Sequence, residues 1–117
     1  MLDKKAVVEY CLTFAGAYED YPFDDEWAAM RAASRKCFAF IYERGGVCCL
    51  NLKCEPVRAD FLRHVYRAVT PAHHMNKEHW NTVALDGSVP DDEVFSMIGH
   101  SFALISGAQA GRGRSGR

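Results

Sequence analysis

The sequence predicts an α+β fold in which an antiparallel β meander is flanked by amphipathic helices. Helical spacing of apolar residues recurs near both ends and in the middle of the chain. Residues 27–54 hold three short runs rich in aromatic and β-favouring side chains, divided by turn signals. The length, 117 residues, suits one hydrophobic core and is too short for two.

The elements follow in order. Asp3 can accept a hydrogen bond from the first-turn amides, and Leu2 and Val7 stand at the two positions of a hydrophobic staple. Ala6, Val7, Tyr10, Cys11 and Phe14 then repeat at helical spacing, predicting a helix over 4–14 that Gly16 stops. Residues 19–26 cannot extend it, because Pro22 disfavours helical geometry at Tyr21 and the acidic side chains repel one another. They read as an acidic loop with aromatic anchors, in which a solvated role outweighs a metal-binding one.

Strands are expected over 27–33, 36–43 and 47–54, with Gly45-Gly46 turning the second into the third. Alternation puts Phe38, Phe40 and Tyr42 on one face of the second strand. In the third, Asn51 and Lys53 lie opposite Cys48, Leu50 and Leu52. Glu55-Pro56 opens a helix whose stripe Val57, Phe61, Leu62 and Val65 is expected to be buried, leaving Arg58, Arg63 and Arg67 on a solvated face. A turn over 75–78 and a strand over 80–85 come next, so that one or two strands are expected before the last helix. A last helix starts near Ser88-Val89-Pro90 and stops at Gly107. The expected domain is 1–107, and 108–117, rich in Gly, Arg and Ser, reads as a flexible tail.

Composition narrows the function. Apolar residues make up 49% and charged residues 25%, a globular balance, and no apolar run reaches the roughly 18 residues a membrane helix requires. Met1-Leu2-Asp3-Lys4-Lys5 lacks the succession of a secretory signal, so a soluble cytoplasmic protein is expected. Five cysteines without a Cys-x-x-Cys pair read as reduced thiols in the core or strands. Net charge is −1, divided as −5 over residues 1–26 and +4 over 27–117, which lacks the strong basic excess of a dedicated nucleic-acid binder.

The densest group of recognition side chains is His73-His74-Met75-Asn76-Lys77-Glu78-His79-Trp80-Asn81-Thr82-Val83. His74 and His79 are separated by an expected turn that sets no common direction for their nitrogens, so no metal site is expected. Neither Cys54 nor Ser101 carries a nucleophile motif, and no catalytic set or cofactor is expected. Cations for phosphate, amides for polar edges and an indole for stacking are, by contrast, the parts of a nucleic-acid surface. Lys36, Lys53, His74, Asn76, Lys77, Trp80 and Asn81 are the candidates. Trp80 as core and the two asparagines as turn formers are the competing structural roles.

That segment, preceded in order by Tyr21-Pro22-Phe23, Lys36-Cys37-Phe38-Ala39 and Leu52-Lys53-Cys54-Glu55-Pro56 and followed by Ser101-Phe102-Ala103-Leu104, resembles the YjbR/MmcQ family over residues 2–106. Cys37 stands where that family often has methionine, and Phe102 where it often has tyrosine. The resemblance implies a CyaY, or frataxin-like, fold, an antiparallel sheet with helices packed across one face, and it implies DNA binding. A small-molecule or protein-interaction domain of the same shape is the alternative.

Overall fold

A computed structural model describes residues 2–106; the expected helix stop at Gly107 and the tail 108–117 lie outside the described residues. In chain order the elements are α1 (Lys4–Cys11), β1 (Tyr18–Asp20), β2 (Ala28–Arg31), β3 (Cys37–Arg44), β4 (Val47–Lys53), α2 (Pro56–Val65), β5 (Val69–Pro71), β6 (Trp80–Ala84) and α3 (Asp91–Ser106). The strands form one antiparallel sheet in the order β1-β2-β3-β4-β6-β5. The helices pack across one of its faces. The α+β architecture is therefore as expected, with β1 added at one edge and β5 standing as the second of the one or two strands expected between α2 and α3.

Local chemistry accounts for the helix and hairpin boundaries. The Asp3 carboxylate accepts the Ala6 amide at 2.9 Å and caps α1. That helix ends three residues earlier than expected: the Thr13 and Phe14 amides bond three residues back, and the Thr13 hydroxyl donates to the Tyr10 carbonyl at 2.6 Å, tightening the chain into a turn. Gly45 and Gly46 have φ of 59° and 80°, the pair of positive values a two-residue β3–β4 hairpin demands. Pro56 occupies the first turn of α2, where its missing amide proton leaves no helical bond unmade.

The core lies between the helices and the inner sheet face, where Met30, Ile41, Leu50 and Val83 meet Val7, Cys11, Val94 and Ile98. Alternation fails at Phe38. Met30 pairs with Ala39 but Arg31 pairs with Cys37, so Phe38 is an extra residue, a bulge in β3. Its ring therefore lies on the helical side, 5.9 Å from Phe14 and 5.0 Å from Phe102, whereas Phe40 and Tyr42 remain on the opposite face. The expectation that all three share a face is corrected by that one inserted residue.

The buried stripe of α2 also differs from expectation. Val57, Phe61 and Val65 are 86%, 62% and 50% exposed; of the expected stripe Leu62 alone faces the core, and Ala59 joins it. Arg63 accompanies them inward, so the expected solvated arginine face holds for exposed Arg67 but not for Arg63. Apolar residues lie on both sides of this helix. The position of β6 and its loop decides which is covered, because Arg63 finds oxygen acceptors there.

Candidate functional site: an aromatic cleft on the open sheet face

The sheet face away from the helices carries the site. Phe40, Asn51 and Thr82 stand side by side across β3, β4 and β6, with Tyr42 and Cys49 one step along. Loops 21–27 and 72–79 leave opposite edges of the sheet and both reach over this face, enclosing a cleft of about 560 Å³. Asp24 shapes the first loop, its carboxylate accepting the Glu26 and Trp27 amides at 2.8 and 3.0 Å in the manner of an Asx turn. Trp27 then stacks on Tyr42, with ring centres 3.9 Å apart and planes 2° from parallel. Phe23 and Phe40 extend the aromatic wall, and Trp80 lies beside the cleft, 6.2 Å from Phe40.

Polar groups occupy the rim and floor. The Arg44 guanidinium lies 5.7 Å above the Tyr42 ring, and His73, His74 and Met75 form the opposite rim. His74 has φ of 66°, a left-handed conformation that is uncommon outside glycine and turns the chain sharply into Met75. On the floor, Asn51 Oδ1 accepts from the Tyr42 hydroxyl at 2.9 Å and from Thr82 Oγ1 at 2.7 Å, and its Nδ2 faces the Met75 sulfur at 3.5 Å. Burial pushes the Tyr42 phenol above its ordinary pKa.

Of the seven candidates named from sequence, His74 lines the cleft. Lys53 and Trp80 are paired at the end of the sheet beside it, where the register also brings β3 to its start, next to exposed Lys36. Lys77 is exposed in the turn before Trp80. Asn76 is used locally: its side chain accepts the Glu78 amide at 3.0 Å. Asn81 is 2% exposed on the inner side, where it accepts from Arg63 at 2.7 Å and donates to the Ala59 carbonyl at 3.3 Å. The cleft residues that the candidate set missed are Phe23, Asp24, Trp27, Phe40, Tyr42, Arg44, Asn51, His73 and Met75. The sequence carries a signal for some of them, since Phe40 and Tyr42 are two apart in a strand and Asn51 falls on the more polar face of its own, opposite Leu50 and Leu52.

Other chemistry is restrained by the packing. The five cysteines are unpaired with one another, and burial raises every thiol, Cys11 to about 12 and Cys37 and Cys48 to about 11, so the nucleophilic thiolate is disfavoured. Ser101 is fully buried, donating to the Phe38 carbonyl at 2.6 Å and accepting the Lys53 amide at 2.9 Å. Among the described residues no group of three or more His, Cys, Asp or Glu side chains is placed to hold a metal, and no helix is long and apolar enough to cross a membrane.

His100 gives a pH prediction. Burial, and then the Arg58 guanidinium, hold its pKa below 6.5, while Glu55 at 3.9 Å pulls the other way. The unfolded chain therefore binds more protons than the folded one just below pH 6.5, so this contribution is complete above that value and is lost as pH falls through the folded pKa. Urea midpoints measured on either side of pH 6.5 should show wild type losing more stability on acidification than His100→Gln. Equal losses would assign the acid sensitivity elsewhere.

Comparison with known proteins places this arrangement in a family. The YjbR family model matches residues 12–104. "Uncharacterized protein YjbR" of Escherichia coli (strain K12) is 32% identical over 97 residues, covering 82% of this chain and 80% of that protein. "Uncharacterized protein YyaQ" of Bacillus subtilis (strain 168) is 30% identical, covering 89% and 98%. Among solved structures, Deinococcus radiodurans protein DR2400, of family-model domain DUF419, superposes with a TM-score of 0.81 at 27% identity, covering 93% of this chain and 80% of that one. A Pseudomonas syringae crystal structure gives a TM-score of 0.78 at 28% identity, covering 89% and 99%. With a family model spanning most of the folded chain and a relative above 30% identity, the chain belongs to the YjbR family.

Proposed function

We propose that the open-face cleft binds a nucleobase, presented by single-stranded DNA or by a free nucleotide, and that the chain is a binding module of frataxin-like shape acting in the cytoplasm. One observation carries this reading: a concave cleft of about 560 Å³ whose wall is aromatic, through Phe23, Trp27, Phe40 and Tyr42, and whose rim holds Arg44 and two imidazoles. Such walls suit planar rings, because base–aromatic stacking contributes about 1–3 kcal/mol per base and requires no particular base sequence. The stacked bases of a duplex cannot enter a recess of this kind without being unstacked, so single strands are favoured.

Charge sets the secondary terms. With a net charge of −1 the chain does not attract polyanions over long distances, so stacking supplies most of the affinity and phosphate contacts the remainder. Arg44 at the rim and Lys53 and Lys77 near the Trp80 end are the phosphate partners in this reading. His74 stands on the rim, Trp80 offers a further stacking plane beside the cleft, Lys36 flanks it, and Asn76 and Asn81 hold the loop.

The test is a titration with an oligothymidylate, its duplex and thymidine monophosphate at several salt concentrations, read by quenching of Trp27 and Trp80 fluorescence. The oligonucleotide should bind more tightly than the duplex, with a log–log salt slope of about −0.7 per phosphate contacted. Lys53→Ala and Lys77→Ala should each make that slope shallower by about 0.7. Equal affinity for the mononucleotide and the oligonucleotide would identify a free nucleotide as the ligand. No saturable quenching by any of the three at low salt would overturn the proposal.

A further inference from the structure

We infer that Asn51 sets the ligand specificity of the cleft: its buried amide is locked as a donor, so the ligand must present a hydrogen-bond acceptor to the floor, where the Met75 sulfur now stands. The inference rests on the reading that the cleft binds a planar ligand, and it specifies which edge of that ligand is recognised.

The lock is a matter of valence. Asn51 is 4% exposed, and its Oδ1 receives two hydroxyl protons, from Tyr42 at 2.9 Å and Thr82 at 2.7 Å. An amide oxygen has two lone pairs, and both are engaged. Rotating the amide by half a turn would still let Nδ2 donate to the two hydroxyl oxygens, but it would aim Oδ1 at a thioether, which has no proton to give, and leave that buried acceptor without a donor. The network therefore fixes Nδ2 toward the cleft. There it meets only Met75 Sδ at 3.5 Å, a weak acceptor in a recess where an unsatisfied donor is costly.

Met75 is suited to giving way. It is unbranched and only partly buried, and it follows directly on the left-handed His74 in the rim loop. A carbonyl oxygen or ring nitrogen entering the cleft replaces a poor partner of Asn51 with a good one while the flexible thioether swings aside. A flat ring with no acceptor would stack equally well but leave Nδ2 facing sulfur. Discrimination then arises from this donor and not from the aromatic wall, which accepts either ring.

The experiment compares thymidine monophosphate, whose ring carries carbonyl acceptors, with phenyl phosphate, whose ring carries none. Wild type should prefer the nucleotide by about tenfold, the equilibrium counterpart of one net buried hydrogen bond. Asn51→Asp keeps an acceptor for Tyr42 and Thr82 but cannot donate once ionised, so the preference should vanish. Its added charge opposes both phosphates alike, and the ratio removes that effect. A second readout needs no variant: the Asn51 side-chain amide resonances of wild type should move on adding the nucleotide and stay in place with phenyl phosphate. Equal binding of the two compounds, or resonances that respond alike, would overturn the role of Asn51 while leaving the cleft as a stacking site. Failure of both compounds to bind while the oligothymidylate binds would overturn the role of Asn51 alone, and failure of all three would overturn both readings.

Discussion

Replacing Ser101 by alanine should destabilise the fold by about 2–5 kcal/mol, far more than loss of one exposed hydroxyl would cost, because a buried carbonyl and a part-buried amide are orphaned at once. The Phe38 carbonyl sits at the β3 bulge, where the ladder to β2 is interrupted, and it receives the Ser101 hydroxyl proton at 2.6 Å. The Lys53 amide, at the last residue of β4, donates to the same oxygen at 2.9 Å. One side chain on α3 thus joins the helix to two strands at the place where their own pairing is incomplete. Alanine fills nearly the same volume, so the loss is almost wholly in hydrogen bonding. For a domain of this size the melting temperature should fall by about 10–25 °C. Ser101→Cys, a weaker and longer donor, should fall between the two. A change below about 0.5 kcal/mol, the range of ordinary surface substitutions, would show that water or a backbone shift replaces the hydroxyl.

The second large effect is expected at Arg63. Its Nε donates to Asn81 Oδ1 at 2.7 Å, and its Nη2 donates to the Lys77 carbonyl and to the Trp80 carbonyl at 3.5 Å. The guanidinium spans α2, the turn at Lys77 and the start of β6, and its planar array of donors serves several oxygens together. Arg63→Ala should cost about 2–4 kcal/mol, since it removes charge-assisted bonds and leaves the buried Asn81 oxygen without its partner. Arg63→Lys should recover little, because a compact ammonium cannot reproduce the fork. Loosening of the rim loop should appear as faster hydrogen exchange at the Cys54 and Ala72 amides, which bond to the His79 and Trp80 carbonyls. A double-mutant cycle with Asn81→Ala should return a coupling above about 1 kcal/mol. Full recovery by lysine, or additive single effects, would contradict the clamp.

Ser101 and Asn81, the residue that Arg63 holds, show what the sequence leaves undecided. Ser101 and Asn81 both invite a functional interpretation as polar side chains in an otherwise apolar or aromatic setting. Both are consumed by the fold, in bonds to groups 63 and 18 positions away along the chain. The aromatic cleft presents the converse. Trp27, Phe40, Asn51 and Met75 are unremarkable apart and become a site only when the sheet and two loops from its opposite edges bring them together.

The chain by itself determined the features that depend on neighbours a few positions away. Asp3 caps the first helix because the amide it accepts is three residues on, and Gly45-Gly46 makes the hairpin because both positions require positive φ. The order of motifs also identified the family. Only the tertiary structure decided which way Phe38 faces, which side of α2 is covered, and what Arg63 holds. The physical reason is shared: periodicity defines the faces of an element, but a face is buried or becomes part of a site according to what another part of the chain sets against it.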